Sequence, residues 1–138
     1  MLKRFQPAFW SSPDTGLDMQ KWDVVRIHCA ELAHAHDKYC ICICPVTNLF
    51  MFVNSDKPMF RKARDLAVEI ANFELHFLKR TSYVDTTKLM EFDAAVVALA
   101  WSDQSRRLGT VAPAIRARLC AGVLAHNVMR DEHRALFI

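Results

Sequence analysis

Glycine is scarce in this chain, with three residues among 138. A tightly turned barrel uses glycine at corners and at positions of positive φ, so the shortage tells against many sharp corners. Long apolar runs are missing as well. None approaches the ~18 residues of a membrane helix, and Met1-Leu2-Lys3-Arg4 is not followed by a signal-type apolar core. The expectation is a cytoplasmic protein with no membrane partner. Strong charge is also lacking: a formal net charge of +3 and a pI near 8.7 are compatible with a polyanionic partner but fall short of a dedicated nucleic-acid binder. No internal repeat or low-complexity segment is visible.

Cysteine is present in odd number, as Cys29, Cys40, Cys42, Cys44 and Cys120, which does not read as a disulfide framework. Cys40, Cys42 and Cys44 lie at every second position of one predicted strand. That spacing puts them on one face, where they read as small buried hydrophobes in a reducing compartment. Zinc needs ligands converging in a tetrahedron, and thiols spaced about 6–7 Å apart along one face are a poor fit. Neither a metal nor another cofactor is expected, and no spacing identifies a cysteine–histidine pair for nucleophilic catalysis.

What is abundant is apolar side chain, 52% of the sequence, enough for one domain with a real core. The chain is organised around residues 39–55, which read as two buried strands, 39–44 and 49–55, joined by the turn signal Pro45-Val46-Thr47-Asn48. Residues 1–20 carry Pro7, Pro13 and Gly16 without a period and read as an irregular arm, with Phe5, Phe9 and Trp10 to dock it. A single domain is expected over 21–138. Its first strand spans 22–29, with Val25, Ile27 and Cys29 facing the core, and a loop over 30–38 should expose His34, His36, Asp37 and Lys38. Pro58 ends the third strand. The basic run Arg61-Lys62-Ala63-Arg64 precedes extended pieces at 67–70, 73–78 and 82–89. Asp93 is a candidate N-cap for a short helix over 94–101. Ile115, Leu119, Cys120, Val123, Leu124 and Val128 recur at helical spacing and predict an amphipathic C-terminal helix from Pro113 to about residue 129.

Three stretches carry a family resemblance: Trp22-Asp23-Val24-Val25-Arg26-Ile27, the block from Leu75-His76-Phe77-Leu78 to Ser82-Tyr83-Val84-Asp85, and Arg107-Leu108-Gly109-Thr110-Val111-Ala112-Pro113 with its following helix. In that order they resemble the MazF/PemK-like toxins of the CcdB/Kid superfamily, over roughly residues 21–129. The resemblance implies a mainly β fold with α: an SH3-like small barrel with a short helix and a C-terminal amphipathic helix. It implies a toxin-like RNA-binding protein, with RNA, a cognate antitoxin-like protein and a homodimer partner as expected partners, and metal-independent endoribonuclease activity yielding a 2′,3′-cyclic phosphate.

The family's ribonucleases use an arginine at the start of the second strand and a Thr or Ser at the end of the third. The matching positions here are Lys38 and Ser55, with Asn54 beside the latter. Lysine is a hydrated point charge and cannot make arginine's bidentate phosphate contact. The alternative expectation is therefore a catalytically silent SH3-like barrel acting as a protein-binding module. RNA cleavage without a metal needs a proton acceptor for the 2′-hydroxyl and a cation for the phosphorane. Lys38, Ser55 and His36 are the candidate catalytic residues. His34, Asp37, Asn54, Arg61, Lys62, Arg64 and Arg80 are the candidate substrate-binding residues, with Phe60 and Tyr83 available to stack on bases.

Overall fold

Residues 39–55 form the middle of the sheet. In the computed structural model, which describes residues 17–30, 32 and 34–138, β2 (His36–Cys44) and β3 (Leu49–Asn54) pair antiparallel around the predicted turn. Asn48 takes φ +58° there, a conformation its short polar side chain tolerates. Around this pair lie β1 (Asp23–Cys29), β4 (Val68–Ile70), β5 (Ser82–Val84), β6 (Met90–Glu91) and β7 (Arg107–Thr110). Among the described residues they make one sheet in the order β4-β5-β3-β2-β1-β7, with β6 also on β3. Every pairing is antiparallel. The sheet curls into a half-barrel carrying short helices, in keeping with the small barrel with helices that the resemblance implies.

Both faces of the sheet are covered. On one, Val24, Ile41, Ile43, Met51, Val53 and Val84 meet Ile115, Leu119 and Val123 of α3 (Pro113–Leu124). On the other, Val25, Ile27, Cys40, Cys42 and Phe50 meet Val97, Ala100 and Trp101 of α2 (Ala94–Trp101). Of the predicted arm, Leu17 and Met19 pack against this second cluster, and Trp101 Nε1 donates to Asp18 Oδ1 at 2.6 Å. Phe5, Phe9 and Trp10 lie outside the described residues.

Several local expectations give way to tertiary structure. Cys44 leaves the cysteine ladder, because a register shift between Cys42 and Cys44 turns it toward the α3 side while Cys40 and Cys42 stay under α2. Residues 73–78 are turns and not a strand. Glu74 N and Leu78 N donate to Ala71 O and Leu75 O, both at 3.0 Å. The buried pair is Leu75 and Leu78, three apart, whereas Phe73 is 85% exposed. Arg61–Leu66 forms helix α1, which buries none of its residues and therefore had no apolar stripe to announce it. β7 forms across Gly109, whose φ of +107° suits the shifted register beside Val24.

The C-terminal helix stops at Leu124, short of the predicted 129. Arg134 Nε donates to His126 O at 2.8 Å and Nη2 to Leu124 O at 3.1 Å, satisfying carbonyls at that end. His126 is then held in one tautomer. Val128 N donates to its Nδ1 at 3.1 Å, so the ring proton sits on Nε2, 3.0 Å from Thr86 Oγ1, which itself donates to Leu66 O at 2.7 Å. Burial and the neighbouring Arg134 hold the His126 pKa below its usual 6.5.

A group whose folded pKa is depressed stabilises the fold fully above its unfolded pKa and loses that contribution as pH falls. The melting temperature is therefore expected to fall between about pH 7.5 and about pH 5, the range in which an unperturbed histidine gains its charge. His126→Gln, which cannot ionise, should fall less over the same range. Parallel melting curves for the two proteins would refute this coupling.

Candidate functional site

The chemistry-bearing residues gather where β2 begins and β3 ends. The expected loop over 30–38 is shorter than predicted, because β2 starts at His36 and pairs with β1 as Cys29↔His36, His28↔Asp37 and Ile27↔Lys38. His36, Asp37 and Lys38 are thus strand residues, and alternation separates their side chains: His36 and Lys38 point one way, Asp37 the other.

Lys38 is half-buried on the α2 side. Its Nζ donates to Asn54 Oδ1 and lies 5.1 Å from the centre of the Phe52 ring. Removal from water lowers the pKa of this amine, since burial disfavours the charged form. His36 Nδ1 lies within hydrogen-bonding distance of His34 O. A carbonyl only accepts, so Nδ1 carries a proton, and Nε2 is the ring nitrogen that this contact leaves out.

Asp37 is already neutralised. His28 Nδ1 lies 3.0 Å from its Oδ1, and Arg26 Nε and Arg106 Nη1 lie 3.2 and 3.1 Å from its Oδ2. Burial alone would raise this carboxyl's pKa. The hydrogen bond from His28 and the two guanidinium charges outweigh it and hold the value low. Asp37 thereby fastens β1 and β2 to the segment before β7, and offers an incoming anion little repulsion.

Two adjoining clefts open at this sheet end. One, of about 290 Å³, is lined by residues including Asp37, Lys38, Tyr39, Ser55, Lys79 and Arg80. The other, of about 300 Å³, is lined by residues including His36, Lys38, Asn54, Ser55, Asp56 and Lys57. His36, Lys38 and Ser55 border both. The turns over 71–81 bring Lys79 and Arg80 in, anchored by the edge-on packing of Phe77 on Tyr39 with ring centres 5.0 Å apart and by Ser82 Oγ donating to Arg80 O at 3.1 Å.

Arg61 and Lys62 lie instead along a separate groove on α1, and Arg64 is exposed on the same helix. His34 contributes its carbonyl to His36. Lys57 and Phe52 escaped the sequence reading, although alternation along β3 carries Phe52 and Asn54 on the same side as Lys38, and Lys57 reaches back to within 5.8 Å of the Tyr83 ring centre.

A larger groove of about 480 Å³ between α2 and the end of β1 is apolar. Its His28 and Arg106 are the ones committed to Asp37, so it gathers no uncommitted pair of reactive groups. Burial raises the thiol pKa of Cys40 and pushes that of Cys42 up to about 12. Both are therefore protonated, inert packing groups at neutral pH. Among the described residues no group of three or more His, Cys, Asp or Glu converges as a metal site, and no helix is long and apolar enough to cross a membrane.

No family model, curated protein or solved structure matches the chain.

Proposed function

We propose that this end of the sheet binds RNA and supplies the groups to cleave it. The observation that carries the reading is the pair of clefts sharing His36, Lys38 and Ser55 and bordered by Lys57, Lys79 and Arg80, where the Asp37 carboxylate that lines the first cleft is offset by Arg26 and Arg106. A groove of cations bordered by hydrogen-bonding groups suits a phosphodiester backbone. The resemblance of three chain segments to MazF/PemK-like toxins supports the same reading.

In the proposed reaction the Nε2 of His36 takes the 2′-hydroxyl proton as that oxygen attacks the adjacent phosphorus. The bond to the 5′-oxygen breaks, leaving a 2′,3′-cyclic phosphate and a 5′-hydroxyl once the leaving oxygen gains a proton. Lys38 lies against the phosphorane charge, and Ser55 and Asn54 hold the phosphate oxygens.

The purified protein, incubated with mixed single-stranded RNA in the presence of a chelator, should bind it and release fragments ending in a cyclic phosphate. Binding without fragments would leave the RNA-binding half of the proposal and remove the chemistry. No binding at low ionic strength would remove both.

A further inference from the structure

We infer that the segment 57–64 carries an RNA strand out of the clefts and across α1, so that the protein takes single strands longer than the clefts alone hold. The inference rests on the RNA-binding reading and adds a footprint and a strand preference to it. Met59 borders the second cleft, while Arg61 and Lys62 border the groove of about 440 Å³ on α1. Two residues of chain span at most about 7 Å, so the groove begins close to where the cleft ends. Phe60 stands between them on the chain, 83% exposed, next to Met59 at 90%.

The segment is fastened at both ends although α1 buries none of its residues. It follows β3, and Arg64 N donates to Phe60 O at 2.9 Å. At the far end the fully buried Thr86 donates through Oγ1 to Leu66 O at 2.7 Å, and β4 rejoins the sheet with Val68 opposite Val84. Two adjacent apolar side chains are thus held in water, and within this chain's described residues nothing removes them from it. The charge around them selects the ligand. From 56 to 66 the chain sets Lys57, Arg61, Lys62 and Arg64 against Asp56 and Asp65. Arg61 Nε lies 3.8 Å from Asp65 Oδ2, an exposed i,i+4 pair that water screens, so the cationic excess stays open to an anion. An exposed aromatic ring among cations matches a single strand, whose unpaired bases stack on the ring while its phosphates lie along the cations. A duplex keeps its bases stacked on one another and offers the ring no face.

The test is fluorescence anisotropy with labelled RNA of one mixed sequence, as single strands of four and of twelve nucleotides and as the twelve-mer annealed to its complement. The wild type should bind the twelve-mer about tenfold or more tightly than the four-mer, and the duplex more weakly than the single strand. Phe60→Ser should weaken the twelve-mer by about fivefold or more, the loss of one stacked base, and leave the four-mer and the duplex within about twofold. Arg61→Gln combined with Lys62→Gln should make the dependence of log affinity on log salt shallower by about 1.4 for the twelve-mer, the contribution of two single-strand phosphate contacts. The three side chains are exposed, so melting curves of the variants should match the wild type. An equal loss at both lengths, or no loss at either, would overturn the footprint while RNA binding stands. Sedimentation of the wild type but not of Phe60→Ser with phosphatidylserine vesicles, beside an unchanged twelve-mer affinity, would assign the patch to a membrane surface and overturn it as well. Failure of the wild type to bind any of the oligomers would take the RNA reading down with it.

Discussion

Phe50→Ala is expected to lower folding stability by about 3–5 kcal/mol, the usual cost of truncating a buried phenylalanine. Phe50 is fully buried on β3, opposite Cys42 of β2 and Met90 of β6. Its ring packs edge-on against Phe92 with centres 5.6 Å apart. It fills the space between the sheet and α2, where Val97, Ala100 and Trp101 are its neighbours in the cluster. Removing the ring loses its transfer free energy and leaves a cavity whose walls belong to a strand paired on both sides, so collapse around it is restricted. Domains of this kind are stable by roughly 5–15 kcal/mol, so the loss is a substantial fraction of the total. Urea unfolding of both proteins measures the difference. A loss below about 1.5 kcal/mol, the range of well-tolerated core substitutions, would mean that the α2 side is not closed as described.

Lys38→Met should separate stability from function. Methionine keeps an apolar stem of similar length and a polarisable sulfur over the Phe52 ring, and it removes the cost of holding an amine half out of water. Melting temperature should hold steady or rise. RNA affinity should fall about tenfold or more, and the dependence of log affinity on log salt should become shallower by about 0.7, the contribution of one phosphate contact on a single strand. If the cation stabilises the phosphorane, cleavage should fall by about 10²–10³-fold, as when an oxyanion donor is removed. Burial lowers the pKa of Lys38, so the wild-type contribution should fade with rising pH before an exposed lysine would lose its charge. A variant that binds and cleaves like the wild type would place the phosphate elsewhere, with Lys79 and Arg80 the nearest alternatives.

Much of the fold was legible because apolar alternation and turn chemistry act locally. The first strand and the pair β2–β3 carry strand-forming apolar runs around a turn signal, and the helix after Asp93 is a run of good helix formers. The misreadings fall where local pattern and burial part company. Phe73, Leu75 and Phe77 alternate like a strand, yet consecutive turns bury Leu75 and Leu78. α1 has no buried face and thus no stripe to find. The cysteine ladder looks continuous until a bulge, which a sequence does not display, rotates Cys44 away.

For the site, the sequence by itself determined the residue types at the ends of the central strands: Lys38 before the buried run, Asn54 and Ser55 after it. Chain order forces these ends together once β2 and β3 pair as a hairpin. Only the tertiary structure decided what each group does there. Asp37 became a clamp because Arg26, His28 and Arg106 converge on it from two separate chain segments. Lys38 became a half-buried cation facing an amide of fixed orientation because the register sets Asn54 between it and Tyr83. Lys79 and Arg80 joined the clefts, and Arg61 and Lys62 a different groove. The reason is that a side chain's pKa, partner and accessibility depend on what long-range pairing sets around it, and a one-residue change of register exchanges one set of neighbours for another.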